Sequence, residues 1–219
     1  MQNNKTIVDY YRARAPEYEQ IYYREVPERR QEIENCCRYL EQIARNKVVL
    51  DLACGTGFWT KVAANSAREV IGTDIANEMV EQARQKEYGA RVGFAISDIY
   101  HPPFLPDSFD LVILGFWLSH EPKQNYAMLF DAITRPLKPN GRIWLIDNNP
   151  PAEGPRSDSA GIDGFGNNLK LRRLQNGNEF VILKNYFTKE ELEVILSREF
   201  QIINLDYRNY YWSAHLQKK

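Results

Sequence analysis

Val48-Val-Leu-Asp-Leu-Ala-Cys-Gly-Thr-Gly57 is the stretch that decides the fold of this 219-residue chain. It is a short apolar run that ends in a glycine-rich loop, which is typical of a buried parallel strand turning into a helix. Strand-like runs and helical periodicity then alternate as far as residue 148. Because strand–helix–strand units cross over with one hand and cover both faces of a sheet, this alternation predicts a doubly wound α/β domain.

The other elements of the predicted sheet follow from the same two periodicities. An amphipathic helix is expected over 27–45, since apolar residues recur there every three or four positions. Further strands are predicted at 69–75, 92–99, 109–115 and 142–147, and further helices around 79–83 and 126–133. Ligands of such a sheet bind at the carboxyl ends of its strands.

The pattern changes after the fifth strand. Residues 149–166 are rich in Pro, Gly, Asp and Asn, and Asn176-Gly177 separates two strand-like runs, which predicts a β-hairpin insert. A capping box over Thr188–Glu191 predicts the start of a helix. The chain then closes with strand-like runs at 200–207 and 210–216, which we expect to form an antiparallel pair at the edge of the sheet.

Composition indicates an ordinary globular protein. Hydrophobic residues make up 43% and charged residues 26%, and no apolar run reaches the roughly 20 residues that a membrane-spanning helix needs. With 28 Lys and Arg against 29 Asp and Glu and no basic block, a nucleic-acid partner is disfavoured. We expect a cytoplasmic, single-domain protein without membrane contact, as a monomer or homodimer. The three cysteines and three histidines have the spacing of neither a disulfide framework nor a metal site.

Residues 48–57 resemble the first motif of the class I S-adenosylmethionine (SAM)-dependent methyltransferases, and the likeness extends over about residues 45–148. The resemblance implies a Rossmann-like fold, with seven mostly parallel strands and an antiparallel last strand, and it implies SAM as the cofactor. By this resemblance, the chain is one domain with four parts: an N-terminal helical lid (1–45), a SAM-binding core (46–148), a substrate-side insert (149–186) and a C-terminal helix with edge strands (187–219).

The resemblance also assigns roles at the strand ends. Asp51 is implied to help position the methionine ammonium group, and Asp74 to accept bonds from both ribose hydroxyls through its two carboxylate oxygens. Asp98 lies where the family reads the adenine amino group. The implied cofactor-binding residues are Tyr11, Tyr18, Asp51, Ala53, Cys54, Gly55, Gly57, Asp74, Ile75, Met79, Ser97, Asp98, Ile99 and Gly115.

A nucleotide-dependent dehydrogenase is the main alternative, because its fingerprint is also glycine-rich and its acid follows about 20 residues later. Thr60 stands where the third small residue of that fingerprint allows close packing of helix on strand, so we favour the methyltransferase. The one departure from the methyltransferase pattern is Ala53, where many relatives carry glycine. The turn therefore has to tolerate a methyl group at that position.

Gly115-Phe-Trp-Leu-Ser-His120 follows the fourth strand, where the family places the transferable methyl group. His120 is a candidate general base because an unperturbed imidazole titrates near neutrality, and Asp147, at the end of the fifth strand, is the second catalytic candidate. A structural role is the alternative for both. The tyrosine-rich segment 10–18 resembles a lid over SAM. The candidate substrate-binding residues are Tyr10, Arg14, Tyr22, Trp117, Asn148 and Tyr186.

Together these features predict transfer of a methyl group from SAM to a small-molecule acceptor. The transfer is an in-line displacement in which the protein supplies positioning and, where the acceptor needs it, a general base. Two alternatives stay open: a non-catalytic binding or scaffold protein that keeps the fold, and transfer of another group from a decarboxylated cofactor. The acceptor itself is not predicted.

Overall fold

The computed structural model describes residues 2–23, 25–150 and 158–219, with side chains from residue 7 onward. These residues form ten strands and six α-helices. The strands are β1 (Val48–Leu52), β2 (Glu69–Asp74), β3 (Arg91–Ile96), β4 (Phe109–Gly115), β5 (Leu137–Asn148), β6 (Ser159–Ile162), β7 (Asn168–Arg173), β8 (Glu179–Leu183), β9 (Phe200–Tyr207) and β10 (Tyr211–Lys218). The helices are α1 (Gln2–Arg14), α2 (Pro27–Ala44), α3 (Phe58–Ala64), α4 (Asn77–Arg84), α5 (Tyr126–Thr134) and α6 (Lys189–Ser197). None of the described helices combines the length and apolarity needed to cross a bilayer.

Seven strands form one sheet in the order β3-β2-β1-β4-β5-β10-β9. The first five are parallel, and β10 runs antiparallel to both β5 and β9. The predicted doubly wound α/β class is therefore confirmed. The predicted antiparallel pair at the edge of the sheet is also confirmed: β9 is the outermost strand, and β10 lies between β9 and β5, where Trp212 and His215 are buried.

The central strands are buried on both faces, which explains their near-continuous apolar sequence. Along β1 and β4, alternate residues point to opposite layers. Leu50 and Val112 pack in the layer that includes α5 and α6, whereas Val49 and Ile113 pack in the layer of α2 and α3. This burial holds the carboxyl ends of the strands in fixed positions, and the loops that follow them carry the candidate site.

The insert after β5 is larger than the predicted hairpin. β7 and β8 are joined by the predicted Asn176-Gly177 turn, in which Gly177 adopts φ 86° and its N–H donates to the Leu174 carbonyl at 2.9 Å. A further strand, β6, pairs with β7 to make a three-stranded antiparallel sheet. Residues 151–157 of the predicted insert lie outside the described residues.

The amino-terminal segment lies between this insert and the main sheet. Ile7 and Tyr10 of α1 pack against Leu174 and Ile182, which belong to or follow the strands of the insert. A 3-10 helix, Ala15–Ile21, continues α1 and buries Tyr18. The segment predicted to be a lid is thus helical and is packed on the side of the sheet that bears the carboxyl ends of its strands.

Candidate active site

The loop between β1 and α3 bends through three residues with positive φ angles. Ala53 has φ 52°, Gly55 has φ 55° and Gly57 has φ 80°. Glycine adopts this left-handed region without a steric penalty, and Ala53 shows that the turn tolerates a methyl group at its first position. A Cβ atom on Gly57 would lie 2.9 Å from the Tyr88 hydroxyl and 3.0 Å from the Ala83 Cβ. Gly57 is therefore required mainly for packing against α4.

Asp74, at the end of β2, holds the glycine loop. Its Oδ2 accepts the Gly55 N–H at 2.9 Å, and its Oδ1 accepts the Ala76 N–H at 2.9 Å. Burial raises the pKa of this carboxyl above its usual value. A carboxylate oxygen has capacity for more than one hydrogen bond, so both oxygens can still accept from a ligand.

Asp51, the last but one residue of β1, lies beneath the same loop and is completely buried. Its Oδ2 accepts the Thr60 hydroxyl at 2.6 Å, whereas its Oδ1 has no hydrogen-bond partner among the described residues. Burial raises the pKa of Asp51 to about 7. Buried polar atoms are nearly always paired, so the unpartnered oxygen indicates that a donor belongs there.

A narrow cleft runs from the glycine loop to the loop after β3, roofed by Ile7, Val8 and Tyr11 of the amino-terminal segment. Asp51, Cys54 and Gly57 of the predicted cofactor set support the loop without lining the cleft. The other eleven line it, namely Tyr11, Tyr18, Ala53, Gly55, Asp74, Ile75, Met79, Ser97, Asp98, Ile99 and Gly115.

Three lining residues were missed by the sequence analysis, namely Ile7, Val8 and Tyr100, whereas Phe116 lies in the segment 115–120 that it singled out. Ile7 and Val8 precede Tyr11 by four and three positions, so helical spacing would have placed them on the same face. The fit of the cleft to SAM rests on its chemistry. It has a carboxylate able to accept two ribose hydroxyls, apolar walls for a flat base, and a buried acceptor atom below the glycine loop.

A second, larger cavity of about 700 Å³ opens between α1, α2 and the insert. Four of the predicted substrate-binding residues line it: Tyr10, Arg14, Asn148 and Tyr186. The structure places the other two elsewhere. Tyr22 stacks on Phe58 with ring centroids 3.7 Å apart, because its ring fills an aromatic cluster, and Trp117 lines the narrow cleft.

The two spaces share three lining residues. Tyr11, Tyr18 and Phe116 border both the narrow cleft and the large cavity. The rings of Tyr11 and Tyr18 meet edge to face at 5.7 Å. A group held in the cleft and a second molecule held in the cavity would therefore meet beside these three aromatic residues.

His120 lines the large cavity, but both of its ring nitrogens are engaged. The Leu183 carbonyl, 2.7 Å from Nδ1, can only accept, so Nδ1 carries the proton and Nε2 accepts the Tyr11 hydroxyl at 2.9 Å. Burial, together with the nearby positive charge of Lys184, lowers the pKa of His120 to about 3. The imidazole is therefore neutral at physiological pH and orients Tyr11.

Asp147 is completely buried below the cavity and does not line it. Its Oδ1 accepts from Lys184 Nζ at 3.0 Å and from the Asn148 N–H at 2.8 Å, and its Oδ2 accepts from the Ser119 N–H at 2.9 Å. Burial acts to raise the pKa of this carboxyl, but the positive charge of Lys184 and the two N–H donors outweigh it and lower the pKa. This arrangement favours a structural role for Asp147.

The segment that carries the glycine loop is similar to a known protein family. Residues 49–141, which include most of β1, the glycine loop, Asp74 and the first part of β5, match the family model described as a methyltransferase domain. The match covers 93 of the 219 residues, and over this segment the chain is similar to methyltransferase domains. This match agrees with the resemblance to SAM-dependent methyltransferases and argues against the dehydrogenase alternative.

Known methyltransferases resemble the chain in sequence over about half of its length and in structure over nearly all of it. A demethylmenaquinone methyltransferase from Lactiplantibacillus plantarum is 37% identical over 116 residues, which cover 50% of this chain and 48% of that protein. The chain is thus matched to only about half the length of this curated relative.

Solved structures match over nearly the whole chain. A complex described as DhpI-SAM-HEP is 25% identical, with a TM-score of 0.76 over 98% of this chain and 97% of that one. A 1,6-didemethyltoxoflavin-N1-methyltransferase from Burkholderia thailandensis, bound to 1,6-didemethyltoxoflavin and S-adenosylhomocysteine, is 17% identical, with a TM-score of 0.68 over 100% of this chain and 89% of that one. The second likeness is one of fold.

Proposed function

We propose that this protein transfers a methyl group from SAM to a small-molecule acceptor held in the 700 Å³ cavity. The observation that carries the proposal is the meeting of the cofactor cleft and that cavity at Tyr11, Tyr18 and Phe116. The shared border gives the methyl group of a bound SAM a direct path to a second molecule. In this proposal the chain is one domain, with residues 1–45 as lid and 149–186 as substrate-side insert.

The residues around the cleft suit each part of SAM. Asp74 would bind the ribose, Asp98 the adenine amino group, and Ile75 and Met79 the faces of the adenine ring. Asp51 Oδ1 would accept from the methionine ammonium group, directly or through water. When bound, SAM supplies an electrophilic methyl group on a positively charged sulfur, so the protein has to bring a nucleophile into line with it.

The protein's own contribution is then mainly positioning and exclusion of water. Ile7, Val8 and Tyr11 close the cleft from above, which separates the reacting atoms from solvent. His120 keeps Tyr11 in place by accepting a hydrogen bond from the Tyr11 hydroxyl. Because His120 is neutral with both nitrogens bonded, and Asp147 is paired with Lys184, neither is used as a general base in this proposal.

The test of the proposal is transfer of label. The purified protein is incubated with SAM labelled in the methyl group and with a metabolite extract, and label is sought in small molecules. We expect labelled product that depends on active protein. Binding of SAM without any labelled product would favour the scaffold alternative, and a product that acquires another part of the cofactor without the methyl label would favour the decarboxylated donor.

A first prediction concerns Asp51, whose pKa of about 7 makes cofactor binding depend on pH. The ammonium group of the ligand favours ionised Asp51, so binding at pH 6 should release close to one proton, and binding at pH 8.5 almost none. Affinity for S-adenosylhomocysteine should accordingly fall about tenfold per pH unit below 7. Calorimetry in phosphate and in Tris, whose ionisation enthalpies differ, measures the proton release.

The matched control for this measurement is Asp51→Asn. This variant keeps the shape of the side chain but cannot titrate, so proton release at pH 6 should disappear. Release that persists in the variant would point to Asp74, whose pKa is also raised by burial. Absence of proton release in the wild-type protein at pH 6 would contradict the placement of the ammonium group beside Asp51.

A further inference from the structure

The wall of the acceptor cavity is strongly basic. Among the described residues that line it, Asp158 is the single acidic one. Six carry a positive charge, namely Arg14, Arg29, Lys170, Arg172, Arg173 and Lys184. They come from α1, α2 and the insert, so the cations converge only in the folded protein. The near-neutral composition of the whole chain gives no sign of this local concentration.

Carboxylate partners balance only part of that charge. Asp158 is shared by Lys170, at 2.9 Å, and Arg172, at 2.5 Å. Asp147 pairs with Lys184, and Glu179 pairs with Arg173. Six cations thus have three carboxylate partners within the described part of the chain, which leaves three positive charges in excess at the cavity.

Arg14 and Arg29 form no ion pair with any described residue. The Arg14 guanidinium donates to the Tyr10 hydroxyl at 2.6 Å and lies 5.3 Å from the centre of the Tyr18 ring. Arg29 donates to the Tyr211 hydroxyl at 2.6 Å and to Asn148 Oδ1 at 3.3 Å. These partners are neutral, so they orient the two guanidinium groups without neutralising them, and Glu17 acts on Arg14 only through space.

The position of Arg14 connects this charge to the reacting end of the cofactor. Tyr18, on whose ring Arg14 lies, borders the cofactor cleft as well as the cavity. Guanidinium groups bind carboxylate and phosphate-type anions through paired hydrogen bonds. An anionic group bound by Arg14 would therefore lie beside the border at which we place the methyl group.

We propose that the acceptor is a small oxyanion, a carboxylate or a phosphate-type group, and that one of its own oxygens receives the methyl group. The inference rests on the proposed function and specifies its substrate class. A lone pair of the anionic oxygen forms the new O–CH₃ bond while the S–CH₃ bond breaks and its electron pair remains on sulfur. The products are a methyl ester with one negative charge fewer and the neutral thioether of S-adenosylhomocysteine.

This chemistry accounts for the lack of a free base among the described residues at the border. An ionised oxyacid is already a nucleophile, so no proton has to be removed from it. Methylation also removes one negative charge from the acceptor, which weakens the attraction between the product and the arginines and favours release of the product.

The experiment separates acceptors by charge before the reaction. A metabolite extract is split on an anion exchanger into retained and unretained fractions, and each is incubated with the protein and methyl-labelled SAM. We expect label only in the retained fraction, in a product that elutes earlier than its acceptor. Label in the unretained fraction, or a product whose charge is unchanged, would overturn the inference. Label in neither fraction would overturn the proposed function itself.

Two variants test the role of the arginines, Arg14→Gln and Arg29→Gln. Each should lower kcat/KM for the retained fraction at least about tenfold, because a charge-assisted hydrogen bond to the anion is lost. Affinity for S-adenosylhomocysteine should change less than about twofold. Arg91→Gln, whose side chain is 83% exposed on β3, is the control and should behave as wild type. Wild-type kinetics in both cavity variants would overturn the inference.

Treatment of the product with alkali distinguishes the two sources of the anion. A carboxylate methyl ester releases labelled methanol, whereas a phosphate-type monomethyl ester keeps its label. Either result supports an oxyanion acceptor and identifies its acidic group as a carboxylate or a phosphate-type group. A label that is alkali-stable in a product without phosphorus would overturn the inference, because it would place the methyl group on another kind of atom.

Discussion

Asp74→Ala should lower the affinity for S-adenosylhomocysteine on the order of 100-fold. The carboxylate lines the cofactor cleft, and each hydrogen bond to an ionised group is worth about 1.5–3 kcal/mol. Loss of two such bonds to the ribose amounts to at least about 3 kcal/mol, which corresponds to that factor. Asp74→Ala also removes the acceptor of the Gly55 N–H, so the glycine loop loses part of its support. Calorimetric titration measures the affinity.

Two further variants separate ligand binding from loop support. Asp74→Asn keeps one acceptor oxygen and should give an intermediate loss, about tenfold. Asp131→Asn changes an acid on α5 whose side chain is 72% exposed and should bind as wild type. An affinity of Asp74→Ala within threefold of the wild-type value would show that Asp74 does not bind the cofactor.

The second large effect concerns stability and the buried ion pair below the acceptor cavity. Lys184→Met leaves the completely buried Asp147 carboxylate without its cation, and breaking a buried pair from one side costs about 3–5 kcal/mol. The expected result at pH 7 is therefore a loss of that size in the free energy of unfolding. Urea denaturation followed by circular dichroism measures it.

A matched surface pair provides the control. Lys138 and Asp110 are 2.8 Å apart, but their side chains are 36% and 22% exposed, so Lys138→Met should cost no more than about 1 kcal/mol. If both lysine variants lost the same free energy of unfolding, Asp147 would not be left as a buried unpaired charge in Lys184→Met, and the account of this pair would be contradicted.

The free energy of unfolding of the wild-type protein and of Lys184→Met should depend on pH in opposite directions. In the wild-type protein the pKa of Asp147 is lowered, so its contribution to stability is present above the usual carboxyl range and is lost as pH falls through the folded-state value. In Lys184→Met, burial without the cation should raise that pKa instead. The difference in the free energy of unfolding between wild type and Lys184→Met should accordingly shrink as the pH falls from 7 to 5.

Local sequence patterns were sufficient to predict eleven of the residues that line the narrow cleft. The apolar run of β1, the glycines that follow it and the spacing from Asp51 to Asp74 are all short-range features, and they lie at the ends of adjacent parallel strands. Such strand ends meet wherever the sheet forms, so the cofactor cleft follows once the sheet is predicted.

The acceptor side depended on contacts that no local pattern expresses. Arg14 and Arg29 reach the same cavity as Lys170 and Arg172, which lie more than 140 residues away in the chain. Alternation along β7 could have placed Lys170 and Arg172 on one face, since residues two apart in a strand point the same way. What that face would meet depended on how the insert packs against α1, and the sequence does not reveal this.

His120 and Asp147 show why residue type and position alone were insufficient to predict a catalytic role. Histidine is a natural choice for a base, but its environment here is set by the Leu183 carbonyl and the Tyr11 hydroxyl, which are distant in sequence. Asp147 is likewise occupied by Lys184, 37 residues further along. Their positions at strand ends were predictable, and their hydrogen-bond partners were not.

The most direct test of the central claim is a crystal structure of the protein with S-adenosylhomocysteine. We expect the ribose hydroxyls on Asp74, the adenine between Ile75 and the loop after β3, and the sulfur at the border formed by Tyr11, Tyr18 and Phe116, facing the acceptor cavity. A ligand bound elsewhere, or one whose sulfur points away from that cavity, would contradict the claim that the two spaces form one methyl-transfer site.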